Sequence, residues 1–344
     1  MVQVPDPDGS LVDISSGFVA YDDHFCKIRG ESPSLEILLE NNSYDFAHEA
    51  GVFIESTNEL FITSARLTDQ SGAQRVQISK IILGECESRK PAKQEEIESE
   101  SILMGNGGVN YGDGILFCAQ GTLEKPSGLY EMKSHPPYNV RPVITNLYGR
   151  QFNSVNDVVI HSDGSIWFTD PTYGYEQGYR PRPQLPSQVY RYNPTNRSIR
   201  AVADGFGHPN GICFSPDEKT VYVTDTDRHH GSGVNDDSKA STIYAFDLVM
   251  RHNEPSLSDR RLFAFADNHI PDGIKCDMEG NVYSGCGDGV NVWSPGGTLI
   301  GKIVVDGGAA NFCFGKEGEI FILNESRIWR AQLGRHVRGA LLRI

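Results

Sequence analysis

Six oxygen-bearing residues recur in one local setting along this chain. Asn106 leads to Asp113-Gly114 and ILFCA. Asn156-Asp157 leads through VVI to Asp163-Gly164 and SIWFT, and Asn210-Gly211 through ICF to Asp217-Glu218 and TVYVT. Asp272-Gly273 leads through IKC to Glu279-Gly280 and NVYSG, and Asn311 through FCF to Glu317-Gly318 and EIFIL. Glu49 stands first, before GVFI, Thr57-Asn58 and ELFIT. Glu49 and Asp272 are anionic, and Asn156 and Asn210 are neutral carbonyl donors. Two carboxylates with amide oxygens suit a hard divalent cation, Ca²⁺ before Mg²⁺ or Mn²⁺. Zn²⁺ would favour His or Cys, which hold none of these positions. For any single Asn a second reading stays open, in which it starts a strand by hydrogen-bonding its own backbone. Four equivalent positions converging on one axis would weigh against that reading.

The elements around them predict that convergence. Each copy is an apolar run, an acidic turn and a second apolar run, which is a β-hairpin. Further runs follow with a period near two: GLYEM, SQVYRYN, STIYAFDL, GVNVWSP, SRIWRAQL and RVQIS. Fourth strands are expected in IRAVAD, RLFAFAD and LIGKIVVD. Six four-stranded antiparallel sheets closing radially make an all-β, six-bladed propeller around a central channel. Helical patterning is almost absent, and residues 90–101, KPAKQEEIESES, read as a solvated charged loop. Residues 1–45 read as an N-terminal extension whose SLEILLE strand packs on a single propeller domain, 46–344.

In such a propeller the first strand of each hairpin lines the axis and its lead residue sits at one mouth. The second strand returns to that mouth, so the segments after it gather there too. Two of these are long: DPTYGYEQGYRPRPQLP (170–186) and DTDRHHGSGVNDDSKA (225–240). Loops of this length often form lids. Tyr173, Tyr175 and Tyr179 are candidates to cover a substrate, and Asn106 to touch it. His48 and His208, beside or near lead residues, are candidates to bind substrate or move a proton.

Composition narrows the class. The chain has 344 residues and a net charge of −14, with no general attraction for nucleic acid or anionic membranes. No run of 18 apolar residues is present to span a bilayer. The start, MVQVPDPDGSLVDISSGF, has no basic then apolar pattern of a secretion signal, so a cytoplasmic protein is expected. Seven cysteines without C-x-x-C, several inside apolar runs, read as buried free thiols. HEAGV (48–52) lacks the second His of a zinc-protease helix, and DTDRHH has His230 where a calcium-binding EF loop needs Gly. His229-His230 reads as a solvated pair.

The segments HEAGVFIESTNELFIT, VNDVVIHSDGSIWFTDP, HPNGICFSPDEKTVYVTDT and IPDGIKCDMEGNVYSGC resemble the senescence-marker/regucalcin/gluconolactonase family, in the family's order over roughly residues 45–325. The resemblance implies a six-bladed propeller with a divalent metal, usually Ca²⁺, in the channel, and hydrolysis of a small-molecule lactone. It implies that Glu49, Asn210 and Asp272 are metal ligands, with Asn156 near metal and substrate. Asp272 is then the candidate catalytic base. Glu49-Ala50-Gly51 and Val155-Asn156 depart from the family's usual E-G-P and Pro-Asn; these departures keep the oxygen donors and bear on the substrate. Two other functions fit the same scaffold: a different ester hydrolysis or a strictosidine-synthase-like condensation, and a non-enzymatic calcium- or protein-binding propeller. Monomer and dimer are both compatible with the sequence.

Overall fold

The computed structural model describes residues 14–15, 17–84 and 91–341. Six antiparallel sheets form the propeller, and within each the strands follow chain order outward from the axis, except that N-terminal strands add to the outer edges of the fifth and sixth. The inner strands are Glu49–Ile54, Gly105–Tyr111, Val158–Ile160, Pro209–Phe214, Ile274–Cys276 and Asn311–Phe314. Every one of the repeated hairpins is therefore an inner pair of strands.

The alternation in these runs has a specific cause. Each blade is sandwiched between two others, so odd and even positions of one strand enter different cores. In Gly114–Ala119, Ile115 and Phe117 pack toward the first blade with Val52 and Phe61. Leu116 and Cys118 pack toward the third with Phe168 and Tyr190. Likewise Trp167 faces the fourth blade with Phe214, while its neighbours Ile166 and Phe168 face the second. Six interblade cores result in place of one central core, which leaves the axis free for polar side chains.

Closure uses the beginning of the chain. Ser34–Glu40 pairs antiparallel with Arg327–Gln332 and is the outer strand of the sixth sheet, Leu35 opposite Ala331 and Ile37 opposite Trp329. Arg327 reaches Glu40 at 2.6 Å, and Arg330 pairs with Glu36. Just before it, Phe18–Ala20 adds to the outer edge of the fifth sheet, Phe18 opposite Ile303. Between the two lies the helix Asp23–Arg29, capped by the Asp22 carboxylate accepting from the His24 N–H. Its Phe25 and Ile28 are buried in the core between the fifth and sixth blades.

Two local expectations are corrected. Residues 93–97 are not a solvated loop: Lys93–Ile97 is the outer strand of the first blade. Its charge pattern misled because an outer strand has one open edge. Lys80 on the adjacent strand is held by Glu59 and Glu95, and Ile97 turns into the core. In the second blade the positive φ of the turn falls on Gly112 (+59°), so that Gly114 already begins the strand. In the fourth, Glu218 adopts φ +55° where the second, third, fifth and sixth blades use Gly, and its carboxylate accepts the Ser162 N–H of the third blade. The described cysteines are free, five of them buried, with Cys213 and Cys276 Sγ atoms 3.7 Å apart. Cys86 lies outside the described residues. Among the described residues no helix is long and apolar enough to cross a membrane.

Candidate active site

Glu49, Asn106, Asn156, Asn210 and Asp272 line one cavity of about 550 Å³ at a single mouth of the channel. The polypeptide aims them there by a repeated device. Just past Glu49, at Gly51, and around Asn106 and Asn210, the inner strand carries a register shift against its neighbour. A bulge of this kind bends the strand and redirects a side chain, here to the axis. The residue after the lead must then let the next blade in. A Cβ on Gly107 would stand 2.6 Å from the Asn156 carbonyl oxygen, and one on Gly211 2.5 Å from that of Asp272. The third blade has Asp157 at this place and uses it as a tie: its carboxylate accepts the N–H of Ile212 across the interface.

Threonines at the ends of the second strands complete the positioning. Thr63 Oγ1 donates to the Asn106 carbonyl (3.1 Å), Thr169 Oγ1 to that of Asn210 (2.6 Å) and Thr224 Oγ1 to that of Asp272 (3.0 Å). Each hydroxyl thus fixes the lead residue of the following blade. Asn311 closes the circle: its Nδ2 donates to Glu49 Oε2 at 2.7 Å. It does not line the cavity, so its part is to orient Glu49.

The polar atoms facing the cavity are unusual. Asn156 Oδ1, Asn210 Oδ1 and Asp272 Oδ1 are buried without a hydrogen-bond partner. Buried oxygens are seldom left so, because desolvation is then uncompensated. Together with Glu49 they form a set of four oxygen donors that a hard divalent cation fits. Among the described residues no cluster of three or more His, Cys, Asp and Glu offers a rival metal site. Burial, then mutual repulsion for Glu49 and other nearby carboxylates for Asp272, pushes both carboxyls above their usual range; a cation between them would reverse that.

Two charged groups flank this set. His48 Nδ1 lies 2.7 Å from Glu325 Oε1, and both line the cavity. Burial acts to lower the imidazole, but the Glu325 carboxylate, with Glu49 and Asp272 behind it, outweighs this and lifts His48 to about 10. Glu325 was not singled out from sequence. It occupies the short NES segment after the last blade's second strand, where the rule that such segments reach this mouth already pointed.

Both long loops lie over the mouth. The first holds a short helix, Tyr173–Glu176. Arg180 anchors this loop through Nε to the Asn153 carbonyl and Nη2 to that of Phe152. Tyr173 lines the cavity, stacks on His208 at 4.5 Å between ring centroids, and bonds through its hydroxyl with Thr226 Oγ1 at 2.5 Å. Tyr179 also lines it, its hydroxyl donating to Gln120. Tyr175 does not: it is 48 % exposed on the outer side of the helix. His208 is likewise off the cavity wall, buried beneath Tyr173 with Nε2 2.7 Å from Glu176 Oε1. His229 reaches the wall, while His230 lies outside it.

A six-bladed propeller with an oxygen-lined mouth agrees with what the chain matches. The SMP-30/Gluconolactonase/LRE-like region matches residues 90–323, well over half of the chain. The chain belongs to this family. It is 29% identical over 331 residues to lactonohydrolase oryL of Aspergillus oryzae, covering 89% of this chain and 72% of that protein. It is 28% identical over 215 residues to the gluconolactonase of Zymomonas mobilis, covering 57% of this chain and 54% of that one. Among solved structures, a gluconolactonase of Xanthomonas campestris superposes with TM-score 0.70 at 27% identity, over 94% of this chain and 96% of that one.

Proposed function

We propose that this chain is a metal-dependent hydrolase of a small-molecule lactone. The observation that carries the proposal is the convergence of Glu49 with the unpartnered oxygens of Asn156, Asn210 and Asp272 in one roofed cavity. Membership of a family whose named relatives are lactonohydrolases and gluconolactonases supplies the reaction class. Those four residues would hold the metal, Ca²⁺ best by donor type. When bound, it would supply positive charge to the lactone carbonyl oxygen as that becomes an oxyanion.

The rest belongs to the protein. Asp272 accepts a proton from the attacking water while the new C–O bond forms. The ring C–O bond then breaks, the alkoxide takes a proton, and the product is the open hydroxy acid. The asparagines cannot act as bases and only place oxygen. Tyr173 and Tyr179 close the side of the cavity and exclude bulk water. A protein-binding propeller predicts a face without a pocket, whereas this mouth holds a cavity of about 550 Å³. The test is a matrix of lactones against Ca²⁺, Mg²⁺, Mn²⁺ and Zn²⁺ with a chelated control. Turnover that needs added metal supports the reading; full turnover in exhaustively chelated protein overturns the metal, and no turnover anywhere overturns the lactonase.

A further inference from the structure

The first blade carries an insertion between its second strand, Glu59–Thr63, and its third, Ile78–Ile82. Within it Leu67–Thr68 and Gln74–Arg75 pair as a separate small hairpin. Its tip is well formed: the Asp69 carboxylate accepts the N–H groups of Ser71 and Ala73. Arg66 stands at its base and lines the cavity, the one lysine or arginine among the described residues that does so.

The guanidinium is oriented before any ligand arrives. Nη1 donates to Gln74 Oε1 at 3.1 Å and to the Gln177 carbonyl of the lid loop at 3.3 Å. Gln74 Nε2 donates to the same carbonyl at 3.2 Å. Elsewhere in this acidic protein Arg191, Arg261, Arg327 and Arg330 are matched by carboxylates. Arg66 has no carboxylate partner among the described residues, although Glu49, Asp272 and Glu325 share its cavity. A positioned arginine of this kind at the mouth of an otherwise anionic pocket is a receptor for an anion.

Resting on the lactone-hydrolase reading, we propose that Arg66 selects lactones that carry a carboxylate on a ring substituent, so that the product is a hydroxy dicarboxylate. The planar fork of arginine matches a carboxylate in geometry. One guanidinium matches one carboxylate charge for charge, with both of its oxygens. The lactone group would lie toward Asn156, Asn210 and Asp272, and the carboxylate toward the seam of hairpin and lid.

The test compares two substrates with one ring, a lactone bearing a free carboxylate arm and its methyl ester, in wild type, Arg66→Gln and Arg66→Lys at low ionic strength. Wild type should prefer the acid. Arg66→Gln should lower the acid-to-ester ratio of kcat/KM by about 10- to 100-fold, the worth of a charge-assisted hydrogen bond. The loss should fall mainly on KM, as for an interaction equal in ground and transition states. Arg66→Lys should recover part of it, and added salt should shrink the wild-type preference. An equal loss on acid and ester, or no wild-type preference, overturns the proposal. If neither substrate turns over with any metal, the lactonase reading has failed separately. The arginine is then read by calorimetric binding of the hydroxy dicarboxylate and its monoester, and affinities indifferent to Arg66→Gln overturn it.

Discussion

At Asp272 one carboxylate is proposed both to hold a cation and to accept a proton, and the two roles can be pulled apart by substitution. Asp272→Asn keeps an oxygen of similar size and loses the base. Lactone turnover should fall roughly 10²–10⁴-fold, the usual worth of general-base catalysis, while calorimetry still detects Ca²⁺. Near wild-type turnover with metal bound would move the base elsewhere; His48, held protonated beside Glu325, is not available as that base at neutral pH. Asn156→Asp gives the contrast: an added charge should tighten Ca²⁺ without removing Asp272, seen as a lower Kd with turnover kept within about an order of magnitude of wild type. At this scale the sequence was informative where a residue type recurs. Five lead residues of the repeat line the cavity, and the sixth, Asn311, orients one of them. What stayed hidden were residues that act through backbone atoms or across blades. Thr63, Thr169 and Thr224 were visible only as strand ends, and Glu325 only as part of a short turn, because their partners lie in other blades.

Among the elements, Glu176 ties the first lid loop to the second. Glu176 accepts from Thr172 Oγ1 at 2.9 Å and from the Gly231 N–H of the second loop at 2.8 Å, and lies 2.7 Å from His208 Nε2. Burial alone would raise its carboxyl; the bonds to His208 and Gly231 outweigh that and hold it down at about 2. A depressed carboxyl stabilises the fold fully above its unfolded value, near 4.5, and loses that contribution as pH falls toward 2. The Tm gap between wild type and Glu176→Gln should therefore be largest at neutral pH and close progressively between about pH 4.5 and 2. In the same variant at pH 7, amides near Gly231 should exchange about 10-fold faster. A gap indifferent to acid would remove Glu176 as the latch. The loops were legible as lids by length and position; which tyrosine faces inward was not, because the short helix that separates Tyr173 from Tyr175 has too few residues to show a periodicity. The strand at Lys93–Ile97 was missed for a related reason: an outer strand with an open edge can be mostly charged and still pair.

For the molecule as a whole, a ligand held only by the native state adds stability by mass action. Chelation should lower Tm, and Ca²⁺ at a hundredfold excess over its Kd should restore about 2.7 kcal/mol, a shift of a few degrees for a chain of this size. An unchanged Tm, with calorimetry showing no bound Ca²⁺, would contradict the site. Deleting residues up to Asn41 should be far more damaging. It strips the outer strand from the sixth sheet, exposes Arg327–Gln332 as an open edge and uncovers Phe18, Phe25 and Ile28 positions of the core beside it. Size-exclusion chromatography should show aggregation or strand-exchanged oligomers in place of the wild-type peak. The propeller itself was readable from repeats, and SLEILLE as a strand packing on it; that this strand is the outer strand of the sixth sheet was not, since its partner Arg327–Gln332 lies near the other end of the sequence.

That arrangement sets an order of events during synthesis. Glu40 and Arg327 are 287 positions apart, so at roughly 5–20 residues/s the closing strand waits about 15–60 s after leaving the ribosome before its partner exists. The pocket waits with it. Glu49 is oriented by Asn311, 262 positions later, and His48 is paired by Glu325, 277 positions later. A nascent chain holding five finished blades already contains Glu49, Asn156, Asn210 and Asp272, yet it lacks what turns Glu49 and His48 to their work. On the proposed mechanism, competence would arrive with the last blade, and an incomplete translation product would be silent although it carries every proposed metal ligand.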